Sequence, residues 1–179
     1  MEKLILVLIL FLPFIACNQN QTASEQDEPS KEELIAEIKE LEARLLKALD
    51  AQKDMEAAKA LIVKSEDYVK QFPKDSLAAS YLFKAADVSR GIKDFGNAIK
   101  LWGQVWRNYE DYSKAPDALF LQGFTFDNDL QDKKMAKKYY EDFLQKYREH
   151  QYSGQVRQLL AVLGKSTEEL IKEFQKQNQ

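Results

Sequence analysis

One cysteine, one histidine, four prolines and six glycines in 179 residues exclude several kinds of protein at once. The lone Cys17 closes no internal disulfide, so the folded body must be held by packing. The lone His150 supplies no metal cluster, and at the expected end of a helix it reads as solvated. Charge of one sign is also missing. The 26 basic and 29 acidic residues are intermixed, with a net formal charge of -3. Without a basic stripe there is no footprint for a phosphate backbone, and nucleic acid is not an expected partner. There is no Gly-rich phosphate loop, no His-x-x-x-His pair and no Gly-x-Ser-x-Gly elbow, and no two of the many Asp and Glu stand apart as an acid–base couple. The expectation is a protein that is not an enzyme and needs no metal and no other cofactor.

Long apolar runs are absent but for one, Leu4 to Ala16, which reads LILVLILFLPFIA directly after Met1-Glu2-Lys3. It falls short of the ~20 apolar residues that span a membrane, and Pro13 would break a regular helix. A short apolar core ending at the small Ala16 fits a secretory signal instead. Residues 18–30, NQNQTASEQDEPS, hold a single apolar residue, Ala23, and no periodicity. They bury too little to order themselves and read as a tether reaching at most about 45 Å. Asn20-Gln21-Thr22 matches a glycosylation sequon and is read as accidental. Asp75-Ser76-Leu77 resembles an O-glycosylation triplet of some Gram-negative lineages, but reads first as a helix cap.

The residues FIAC, 14–17, resemble a bacterial lipobox, with Phe14 where leucine is usual. The resemblance implies that Cys17 becomes the acylated N-terminus, so that the chain meets the membrane through acyl chains. It divides the chain into a signal peptide (1–16), a lipidated cysteine with a disordered tether (17–30) and a helical domain (31–179). Asn18, in place of an inner-membrane aspartate, and the lack of an acidic cluster after Cys17 favour the outer membrane, facing the periplasm.

Everything beyond Pro29 has helical texture. Ser30 and Glu33 form a capping-box pattern ahead of Leu34, Ile38, Leu41 and Leu45, and a partner helix is expected from about 54 to 72, where Pro73 stops it. Asp75 or Ser76 would cap a helix ending at Gly91, and Asp94 one carrying to Tyr109. Pro116 opens one through Phe126, Asp132 one to Tyr147, and two more cover about 152–163 and 167–177. Eight helices and no strand make an all-α chain.

Internal repetition organises them. Ala98, Trp102, Val105 and Tyr109 recur 38 residues later as Ala136, Tyr140, Phe143 and Tyr147, and Leu61, Ser65, Tyr68 and Phe72 keep the offsets with Ser65 as a polar misfit. Leu82, Ala86 and Ser89 correspond to Leu119, Gly123 and Phe126, the small residues allowing close helix approach. This order resembles the tetratricopeptide repeat (TPR), with a period of 37 to 38 residues against 34 and with Glu110 and Arg148 at the closing-proline position. The resemblance, over about 50–163, implies an α-solenoid of helical hairpins. Behind a lipobox, it is similar to the envelope family that includes the Tol-Pal-associated periplasmic coordinator and the lipoprotein subunit of the outer-membrane barrel-assembly machine. Such proteins are interaction scaffolds, and envelope proteins or peptides are the implied partners.

A partner would lie along the face formed by the first helix of each hairpin. One residue off the core positions, that face holds Phe83, Asp87 and Arg90, then Phe120, Phe124 and Asp127. The two phenylalanines of the second set are either an apolar strip of the groove or core between hairpins, whereas Trp102, Tyr140, Phe143 and Tyr147 read as core. An alternative is structural: Leu34, Ile38, Leu41 and Leu45 trace a heptad seam that could self-associate, and the terminal helix could cap a larger assembly. Packing of the first helix as half of a hairpin is the favoured use of that seam.

Overall fold

The computed structural model describes residues 28–177. The signal segment, Cys17 and most of the tether lie outside the described residues. The elements are α1 (Lys31–Ala48), a 3-10 turn (Ala51–Asp54), α2 (Met55–Gln71), α3 (Ala78–Gly91), α4 (Phe95–Asn108), α5 (Ala115–Asn128), α6 (Lys133–Lys146), α7 (Ser153–Val162) and α8 (Thr167–Gln177). No strand occurs among the described residues. From α1 to α7 each helix packs on its predecessor and its successor, whereas α8 packs extensively on none. The protein is an all-α solenoid of helical hairpins, as its repeat spacing led us to expect.

Two kinds of turn alternate. At the tips of the first three hairpins a residue takes the left-handed conformation (Leu49, φ 60°; Lys93, φ 66°; Gln131, φ 55°). Each is followed by an aspartate whose carboxylate accepts a backbone N–H of the next element, Asp50 from Gln52 at 2.8 Å, Asp94 from Asn97 at 3.1 Å and Asp132 from Met135 at 3.0 Å. A left-handed residue that is not glycine costs about 1–2 kcal/mol, which these caps help offset. At the opposite edge the second helix of each hairpin ends on an aromatic residue, Phe72, Tyr109 or Tyr147, outside the helix proper. Its carbonyl accepts from the third residue on (Asp75, Tyr112, His150), and that residue's carbonyl accepts from a buried small residue, Ala78, Ala115 or Ser153. The three connectors between successive hairpins thus share one hydrogen-bond pattern.

α1 opens on the expected capping box: Ser30 N donates to Glu33 at 2.8 Å, and Glu33 N to Ser30 Oγ at 3.3 Å. Leu34 and Ile38 are buried against Tyr68 and Tyr81. The seam's first half therefore lies inside the first hairpin, and Leu41 and Leu45 are half-buried. The cap of α3 differs from both alternatives. Leu77 holds the cap position without a side-chain bond, and Asp75 instead accepts Leu77 N–H at 2.8 Å and the Tyr68 hydroxyl at 2.7 Å, and pairs with the Lys31 ammonium. Those donors, the Lys31 ammonium foremost, hold the Asp75 carboxyl down at about 2.

The central core joins Leu82, Ala86, Ala98, Leu101, Trp102 and Val105, and a second core gathers Leu119, Ala136, Tyr140, Phe143 and Val156. Tyr147 is half-buried rather than core, because it caps α6 from outside the helix. His150 is half-buried rather than fully solvated: its ring lies edge-on to Phe143 at 5.7 Å and to Tyr152 at 5.1 Å.

Candidate functional site: the cleft between the second and third hairpins

Helices α3 and α5 each open their hairpin, and the faces they turn toward one another bound a cavity of about 340 Å³. Asp87, Arg90 and Gly91 of α3 line it with Trp102 of α4, Leu121 of α5 and Asp129 of the turn after α5. The small residues expected to bring helices close do so. A Cβ on Gly123 would stand 2.8 Å from Tyr140 Cδ1, so α5 sits against α6 at a distance only glycine permits, and this fixes the far wall.

Asp87 lies at the cavity's charged centre. Trp102 Nε1 donates to its Oδ1 at 3.2 Å, which gives the core tryptophan's only polar atom a partner. By area the side chain is exposed, yet the protein crowding its carboxyl keeps enough water away to push it up to about 6. Trp102, Lys114 and Arg90 pull the other way, and Asp117 adds to the rise. Asp117, in the first turn of α5, is also pushed up by burial, and its Oδ1 is buried with no hydrogen-bond partner.

Arg90 is fixed on two sides. Its Nε donates to Asp129 Oδ2 at 2.7 Å, and its guanidinium lies 5.2 Å from the centre of the Phe124 ring. Phe124 is thus an aromatic wall with a cation laid across it. Asp127 stands further along α5, taking Lys133 Nζ at 2.6 Å and the Tyr140 hydroxyl at 3.2 Å; burial, with Asp127 next, pushes that hydroxyl up.

The six residues assigned to the groove therefore separate. Asp87 and Arg90 line the cavity and Phe124 adjoins it through Arg90, while Asp127 stands beyond Phe124 on α5. Phe83 does not line an open face: it is 6% exposed, part of the central core, with the Lys114 ammonium 5.1 Å from its ring. Phe120 touches Phe124 (6.0 Å) but also Tyr140, Phe143 and Tyr152, so it faces the aromatic cluster beneath α7. Stepping one residue off a core stripe turns a side chain about 100°, which still leaves it half inside when the neighbouring hairpin wraps over it.

Sequence reasoning missed Leu121 and Asp129, and also Gln122, buried behind the site. Gln122 Nε2 donates to the Ile99 carbonyl at 2.6 Å, and its Oε1 accepts Trp106 Nε1 at 2.7 Å, tying α4 to α5. One signal was available for Asp129. Arg90 and Asp129 lie 39 residues apart, Lys100 and Glu66 (2.8 Å) 34, and Lys146 and Glu110 (2.8 Å) 36, each near the 37- to 38-residue repeat. Opposite charges at the repeat spacing mark rungs between adjacent hairpins.

The cavity offers apolar walls, a paired guanidinium and a carboxyl that can exchange a proton near neutral pH. No group of three or more His, Cys, Asp or Glu that could hold a metal ion occurs among the described residues. Nor is any described helix long and apolar enough to cross a membrane. Compared with protein-family models, with curated proteins and with solved structures, the chain matches none.

Proposed function

We propose that this chain is a lipid-anchored, non-enzymatic TPR-like scaffold of the bacterial cell envelope, held on the periplasmic face of the outer membrane through Cys17. Its cleft between the second and third hairpins takes a segment of another envelope protein. The anchoring half of this reading rests on the FIAC segment, the apolar run before it and the polar tether after it. The binding half rests on one observation: Asp87 and Arg90 of α3 and Leu121 of α5 converge on one cavity, beside the Arg90-covered ring of Phe124. Apolar surface rimmed by fixed charges suits an extended or helical peptide.

A comparison of two variants tests the binding half. Phe124→Glu, on a half-buried ring, is expected to reduce recovery of co-purifying envelope proteins at least tenfold, while truncation after Gly164 leaves it intact. The opposite pattern would transfer the function to the terminal helix, a reading favoured by the lack of extensive packing around α8. The seam alternative is separable by sedimentation: a stable oligomer dissolved by Leu41→Asp would support it. For the anchor, Cys17→Ala should abolish palmitate incorporation and release the chain from membranes. A native chain that takes up no labelled palmitate would defeat that half alone.

A further inference from the structure

The charges around the cleft do not pair off completely. Arg90, three residues after Asp87 on α3, is drawn to Asp129 instead, at 2.7 Å, with its guanidinium laid across Phe124. Lys114, the other cation acting on Asp87, stands 5.1 Å from the Phe83 ring. Lys93 lines the cavity from the exposed tip of the second hairpin and makes no ion pair with Asp87. Among the described residues Asp87 belongs to no ion pair, and its Oδ2 has no hydrogen-bond partner, since the Trp102 bond goes to Oδ1. One carboxylate oxygen is therefore left open to the cavity.

Folding does not call for that charge. A neutral amide would give the Trp102 N–H the same acceptor, whereas the carboxylate, crowded enough by protein to be pushed up to about 6, opposes folding above that pH. The surroundings suit a cation with an apolar stem. Half-buried Phe95 and Leu121 line the cavity beside Asp87, and its volume of about 340 Å³ is at the low end for a binding pocket, room for one side chain of a peptide. Lysine and arginine lay their methylenes along such walls and keep the charge at the tip. A new pair is worth most where protein has displaced water and least in the open. That favours Asp87 over exposed Lys93, and Arg90 is already neutralised by Asp129.

We infer that Asp87 selects a basic side chain: the segment held in the cleft carries a lysine or arginine whose stem lies against Phe95 and Leu121 and whose charge pairs with Asp87 Oδ2. The inference rests on the peptide-binding reading of the cleft proposed above and names the chemistry of its occupant. The groups that act on Asp87 are Trp102 of α4, Lys114 at the start of α5, Arg90 of α3 itself and Asp117 in the first turn of α5. Asp129 reaches it only through Arg90. Lysine and arginine stay charged between pH 5 and 7.5, so within that range the pair is lost when Asp87 takes a proton.

A random peptide library displayed on phage and panned against the full-length chain in detergent tests this. Cleft binders are the peptides lost both on Leu121→Asn, which makes one wall polar, and on Phe124→Ala, which removes the ring beside Arg90; neither change adds a charge, and circular dichroism checks that both variants stay helical. These peptides should share a lysine or arginine. Acetylated synthetic copies without histidine should bind Asp87→Asn at least tenfold more weakly than the native chain, and asparagine still accepts from Trp102. On the native chain their affinity should fall about tenfold from pH 7.5 to pH 5, the factor by which a group at about 6 is depleted of its charged form. On Asp87→Asn it should not change, which separates Asp87 from Asp117. Cleft binders with no shared basic residue, or bound equally by Asp87→Asn, overturn the inference and leave the cleft reading standing. A shared aspartate or glutamate overturns it too and assigns recognition to Arg90 or Lys93. If no peptide depends on the cleft, the peptide-binding reading fails and this inference with it.

Discussion

Ser65 sits where the repeat calls for an apolar or aromatic residue, and its burial is complete with no partner for the hydroxyl. A buried hydroxyl without a hydrogen bond costs about 1–3 kcal/mol. Ser65→Ala should therefore raise stability by about 1 kcal/mol, read as a higher thermal midpoint; a drop would mean that the hydroxyl has a partner after all. The two perturbed aspartates make opposite pH predictions. Asp75, held at about 2 against an ordinary 3.8, stabilises the fold above pH 4 and loses that contribution as pH falls toward 2. Asp75→Ala should lower the urea midpoint at pH 6, and the gap to the native chain should narrow steadily as pH falls from 4 to 2. Asp87, pushed up to about 6, binds its proton more readily folded than unfolded, so its charge opposes folding above pH 6. Asp87→Asn keeps an acceptor for Trp102 and should raise the urea midpoint at pH 7.5, with the gain vanishing near pH 4. Of these residues Ser65 was legible as a misfit in the repeat. Asp87 could be placed on a helix face, but its raised pKa depends on how four elements crowd it, and no spacing in the sequence encodes that.

At the scale of elements, two glycine substitutions should move stability in opposite directions. Gly123→Ala gains up to about 1 kcal/mol of helix propensity but drives its methyl into the Tyr140 ring, and overpacking costs about 1–3 kcal/mol, so a net loss is expected. Gly96→Ala in the first turn of α4 meets nothing within 4 Å and should gain about 0.5 kcal/mol. Differential scanning calorimetry of the pair checks both, and equal shifts would show that close approach of α5 and α6 is not what selects Gly123. The helices were legible because caps and apolar spacing coincide: Ser30 with Glu33, Asp94, Asp132 and Pro73 mark boundaries that the structure keeps within a residue or two. The connectors were not. Phe72, Tyr109 and Tyr147 recur in register, and Tyr147 reads as core, but all three stand one residue past their helices and shape the turns. Which residues pass outside a helix is decided by backbone hydrogen bonds, here shared by three connectors, and not by hydrophobic period.

For the whole molecule, the solenoid follows from the 37- to 38-residue repetition, because each hairpin finds its cover in the next. The cleft was legible only in part. Stepping off the core stripe leads to Asp87 and Arg90, which line the cavity, but also to Phe83, which is buried in the central core, and to Phe120, which turns half-buried toward the aromatic cluster beneath α7. Leu121, Asp129 and, from the first hairpin's turn, Gln52 reach the cavity from elements that meet α3 only in three dimensions, and Lys93 lines it from the turn after α3 and Phe95 from the start of α4. The central claim, that this cleft holds a segment of another envelope protein, is tested most directly by a photo-crosslinking amino acid placed at Leu121 in the full-length chain and irradiated in living cells. A matched probe at exposed Lys137 on α6 serves as the control. The account predicts one or a few discrete envelope-protein adducts at 121, lost when Phe124→Glu is added, and none of them at 137. No adduct at 121, or the same adducts at both positions, would contradict it.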